Sequence, residues 1–113
     1  MDYSNFAKTW ERDWNSHDLD RILSHYTPDI IFRSRKALTF VGTGEIHGRA
    51  ALRAYWHKAL SGQPDLHFTD LQVFEGHRML TFTYRNHTGV LAAETLWFDA
   101  HGLVHLAAAC HAA

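Results

Sequence analysis

Pro64 divides this chain into two halves with different hydrophobic periods. Before it, apolar residues recur at helical spacing. After it, they alternate with polar ones. Helix-period and strand-period segments cannot exchange roles, so helices come first and a meander of strands follows. That order specifies an α+β domain with helices on one face of an antiparallel sheet. In the first half, Tyr3, Phe6, Ala7, Trp10 and Trp14 fall at i, i+3, i+4, i+7 and i+11, one face of an amphipathic helix. "NSHD" interrupts it, and Ser16 or Asp18 can cap a second helix carrying Leu19, Ile22, Leu23 and Tyr26. Pro28 stops that helix, and "DIIFRS" reads as a strand. "RKALTFVGTGEIHG" is expected to be a loop with a short strand at 38–41. Leu52, Tyr55, Trp56 and Ala59 mark a third helix, stopped by Ser61-Gly62. In the second half the expected strands are 66–74, 78–86, 90–98 and 103–111, joined by "EGH", "NHTG" and "DAHG".

The 113 residues fit a single domain, 1–113. A net charge of −1 leaves no basic footprint for nucleic acid, and no apolar run is long enough to span a bilayer. "MDYSNFAKTW" has no basic segment followed by an apolar stretch, so no signal peptide is expected, and the lone Cys110 fits the reducing cytoplasm. Of the ten histidines, only His101 and His105 lie close together, across a turn. A zinc site needs at least one more converging ligand, so no metal is expected, and nothing calls for an organic cofactor.

"DLDRILSHYTPDIIF", "HGRAALRAYWHKAL" and "AETLWFDAHGLV", in that order, resemble the NTF2-like superfamily and, within it, the SnoaL-like group (polyketide cyclase and ketosteroid isomerase-like). The resemblance implies a cone-shaped α+β barrel, the NTF2-like or cystatin-like fold. In it three N-terminal helices pack on a strongly bent antiparallel sheet around a deep apolar pocket. It implies a small hydrophobic or polycyclic ligand. Family members include isomerases, cyclases, dehydratases, epoxide hydrolases and non-enzymatic binders. By the resemblance, the buried acid of the penultimate strand falls on Glu94, and Tyr26 is retained. Trp10 stands where a tyrosine donates to an oxyanion, and Trp56 matches an aromatic of the third helix. The general-base aspartate falls near Ser34, which cannot do that work, so steroid double-bond isomerisation is not supported.

Both faces of the strand around Glu94 are largely apolar, so the period alone does not orient it. Glu94 either faces the pocket or is satisfied at the sheet surface. If it faces the pocket, Trp10, Trp14, Tyr26, Phe32 and Trp56 shape the cavity, with Ser34 beside them. Leu80, Phe82, Tyr84 and Asn86 alternate toward the same face, where Phe82 also suits plain core packing. Register decides the last strand. A type I turn with a bulge at "DAHG" puts Val104, Leu106 and Ala108 beside Glu94. The family pattern puts His105, Ala107, Ala109 and His111 there. Under the second register, His111 joins Glu94 as a catalytic acid or base and His105 lines the pocket. Arg33, Arg35 and Lys36 cluster near the mouth. The outer face, with Leu91, Ala93, Thr95, Trp97, Leu106 and Cys110, is apolar enough to predict a homodimer formed sheet against sheet. Two functions follow: acid–base catalysis of isomerase, cyclase or hydratase type using Glu94, or non-catalytic ligand binding or an accessory dimer role on the same fold.

Overall fold

A computed structural model describes residues 1–113. Helix α1 spans Tyr3–Ser16 and α2 Leu19–Leu23. Strand β1 runs Tyr26–Ser34, followed by α3 (Arg35–Val41), β2 (Glu45–His47) and α4 (Arg49–Gly62). The chain then forms β3 (Thr69–Glu75), β4 (Met79–Arg85), β5 (Leu91–Phe98) and β6 (Val104–His111). No helix is long and apolar enough to cross a membrane.

The long helices form where the periodicity places them. In α1, Ala7, Trp10 and Trp14 are buried, with Tyr3 and Phe6 packed against the core. Asp18 caps α2, its Oδ1 accepting from the amides of Asp20 and Arg21 at 3.1 and 3.3 Å. Tyr26, expected on α2, instead begins β1. Helix α2 ends at Leu23 because Pro28 pushes Thr27 toward extended backbone, and the sheet then captures the chain: the amide of Val104 donates to the carbonyl of His25 at 2.8 Å. The expected strand at 38–41 is also absent. Arg35–Val41 is the short helix α3, closed by Gly42 at φ +79°. Its apolar run suggests a strand in the sequence because it is too brief to show a helical period.

The sheet is open, in the order β2-β1-β6-β5-β4-β3, and all neighbouring pairs are antiparallel except β1 with β6. The α3–β2–α4 crossover and the β3–β5 meander carry the chain far enough to bring its last strand alongside its first in the same direction. Two irregularities re-aim side chains. In β3 the register shifts between Thr69 and Gln72, with Asp70 at φ +59°. In β6, Phe98 faces Val104 and Trp97 faces Leu106, leaving His105 as the extra residue. One face is buried by the helices: Leu80, Phe82 and Tyr84 of β4 and Ala92, Glu94, Leu96 and Phe98 of β5 are at most 7 % exposed. The opposite face stays more open, with Leu91 42 % exposed, Cys110 exposed and Trp97 and Leu106 half-buried.

Candidate functional site

Strand β5 alternates cleanly, and its inward set is Ala92, Glu94, Leu96 and Phe98. Glu94 lies across from Phe82 on β4 and from Ala109 on β6. Residues opposite one another in an antiparallel pair share a face. The acid is therefore held on the buried side by both neighbouring strands. Its one side-chain hydrogen bond comes from Tyr84, whose hydroxyl donates to Oε1 at 2.9 Å.

Aromatic rings enclose this pair. Trp10 packs edge-to-face on Phe82 at 4.5 Å and stacks on Phe68 at 5.5 Å. Trp56 touches Trp14, Tyr26 and Phe32 at 4.9, 5.2 and 5.4 Å. The Trp10 indole N–H donates to the Tyr26 hydroxyl at 3.1 Å, linking α1 to β1 across the interior. The cavity left between them has a volume of about 80 Å³, and thirteen of its nineteen lining residues are hydrophobic.

Such surroundings dictate the protonation of the acid. Burial raises the Glu94 carboxyl to about 8, against which the Tyr84 hydrogen bond works in the opposite sense. Near neutral pH Glu94 is therefore mostly a neutral acid able to donate a proton. Above pH 8 it becomes a base. Burial likewise raises the phenols of Tyr26, Tyr55 and Tyr84, so these side chains stay neutral donors. Burial, then the nearby Lys36 charge, lowers His111.

Trp10, Trp14, Tyr26, Phe32, Ser34, Trp56, Tyr84, Glu94 and His111 all line the one cavity. His105 does not. The bulge in β6 turns it outward, where it is exposed, while Val104 before it and Ala107 and Ala109 after it face inward. The last strand thus combines one residue of the first register with the remainder of the second. Phe82 is also absent from the lining: it is fully buried beneath Trp10 as core. His111 shares the cavity with Glu94, but no hydrogen bond joins them; His111 lies opposite Ala92.

Sequence reasoning missed Tyr55, Leu66 and Phe68 as lining residues. Tyr55 was legible, since it sits three residues after Leu52 on the buried face of α4. Leu66 and Phe68 fall in the expected strand 66–74, yet in the structure they precede β3, in a segment tied to the C-terminal end of α1. Asn15 holds Phe68 by both backbone groups, at 3.0 and 2.7 Å, and the His17 ring bonds the Leu66 carbonyl at 2.7 Å. Nothing local in the sequence announces those bonds, which join residues about fifty positions apart.

The SnoaL-like domain model matches residues 7–109. A SnoaL-like protein of unknown function from Burkholderia thailandensis is 35 % identical and superposes with a TM-score of 0.93, covering 98 % of this chain and 95 % of its own. SalBIII, an epoxide hydrolase/cyclase-like enzyme of pyran ring formation in the polyether salinomycin, is 15 % identical with a TM-score of 0.76, over 97 % and 90 % of the two chains. TerC, co-crystallised with polyporic acid, is 10 % identical with a TM-score of 0.80, over 97 % and 91 %. These last two likenesses concern the fold alone. No curated protein matches the chain.

Proposed function

The chain belongs to the SnoaL-like domain family, and on that premise we propose that it is a small-molecule enzyme of isomerase, cyclase or hydratase type, with Glu94 as its acid or base. One observation carries the reading: a carboxyl group 7 % exposed, raised to about 8, in the wall of an aromatic cavity and hydrogen-bonded by a tyrosine hydroxyl. A catalytic acid works best with a pKa near the operating pH, and burial tunes this one there. Proton delivery to a carbonyl or leaving oxygen, or removal of a proton beside a carbonyl, are the steps it suits. The cavity, at about 80 Å³, is smaller than the roughly 150 Å³ that admits benzene in a dry core. The part of the ligand that enters the cavity is therefore small.

The separation of His111 from Glu94 favours a second reading, a non-catalytic binder, because the acid then lacks a second proton-handling partner. Hydrogen–deuterium exchange of butanone and cyclopentanone in D₂O, followed by proton NMR, separates the two. An enzyme exchanges their α-protons, and Glu94→Gln loses that rate by roughly 10²-fold or more while the fold persists. Exchange unchanged in the variant sinks the catalytic role, and no exchange in either protein leaves the binder.

The outer sheet face, with Leu91 and Cys110 exposed and Trp97 half-buried, supports a homodimer formed sheet against sheet. Light scattering at low micromolar concentration is expected to give twice the 13.0 kDa chain mass. A monomer there refutes the interface.

A further inference from the structure

One lysine, Lys36, half-buried on α3, lines the cavity. Glu94, the only acid in the lining, is mostly neutral there. No carboxylate pairs with Lys36, whereas its neighbour Arg33 is held by Glu45 at 2.9 Å. Ser34, Lys36, Ala109 and His111 also line the adjoining open groove, so the mouth lies between α3 and the end of β6. Arg35 lines that groove but not the cavity. A cation therefore stands where the cavity meets the groove, in a wall that also carries the aromatic rings and the protonatable Glu94.

We propose that the ligand is a small carboxylic acid whose carboxylate is held by Lys36 at the mouth while its apolar body extends toward Glu94. This rests on the reading of the pocket as a ligand site and names the class of molecule it selects. The two ends are compatible: an anionic ligand would be repelled by an ionised Glu94, but burial keeps that group neutral. Burial, then the Lys36 charge, disfavours the protonated form of His111, whose ring can offer the carboxylate an N–H. An amide of the same shape would place a neutral group beside the lysine and lose the charge-assisted bond.

The test uses crotonate and propionate against crotonamide and propionamide, with binding read from the fluorescence of the lining tryptophans at pH 7. The acids are expected to bind about tenfold more tightly than their amides, the size of a hydrogen bond to a charged group. Lys36→Gln abolishes that difference, Lys36→Arg keeps it, and Arg35→Gln leaves it unchanged. Equal affinity for acid and amide, preference surviving Lys36→Gln, or no binding of either acid at millimolar concentration overturns the proposal. Glu94→Gln retains the preference for acids. A Glu94 without catalytic effect beside a Lys36-dependent preference thus removes only the enzyme reading, and the converse removes only this one.

Discussion

Replacing Glu94 by Gln should flatten the pH dependence of stability, and the structure sets the size of the effect. Gln keeps the shape of the side chain and an oxygen to accept from Tyr84, but it does not ionise. The Glu94 carboxyl moves from an ordinary value of 4.5 to about 8 on folding. The folded state therefore holds its proton over a range where the unfolded state has lost it. Stability must fall as pH rises from about 4.5, and the loss levels off above about 8. At 1.36 kcal/mol per unit, the full loss is about 5 kcal/mol, of which about 3 kcal/mol is already present at pH 7. Between pH 7 and 9 the native protein should lose a further 1 kcal/mol or slightly more (about 5 °C in Tm for a domain of this size) that the variant does not lose. Urea unfolding of both proteins at half-unit intervals from pH 5 to 9 measures this difference, in which every other titrating group cancels. The two curves should converge toward pH 5 and diverge above it, with the variant the more stable. Parallel curves, or a Glu94 carboxyl carbon that titrates below pH 5 by NMR, would show that the acid is solvated and that the pocket reading is wrong.

Tyr84→Phe removes the one hydrogen bond that opposes the rise of Glu94, so NMR titration should place the carboxyl above its native value of about 8; a fall would mean that Tyr84 does not reach it. Trp10→Phe deprives the buried Tyr26 hydroxyl of its donor and should cost about 1–3 kcal/mol in urea unfolding, and an unchanged midpoint counts against that bond. Leu96→Ala empties a fully buried position on β5 and should cost about 2–5 kcal/mol. A loss below 1 kcal/mol would place Leu96 outside the core.

The sequence by itself determined the order of the elements and most of the cavity wall. A run such as Tyr3, Phe6, Ala7, Trp10 and Trp14 has one geometry that buries it, and period-two alternation around Glu94 allows two orientations of the strand. The resemblance selected between them, and pairing with Phe82 and Ala109 supports the inward one. Tertiary structure decided what depends on long-range contact. It placed His105 outside, because a one-residue bulge inverts every side chain between turn and bulge, and no residue type marks where the bulge falls. It made Arg35–Val41 a helix, since seven residues carry too little period to outweigh the β-forming Thr39, Phe40 and Val41 until β1 and β2 fix both ends. It also set the chemistry of Glu94. A glutamate ionises near 4.5 wherever water reaches it, and only strands and rings drawn from across the chain exclude that water.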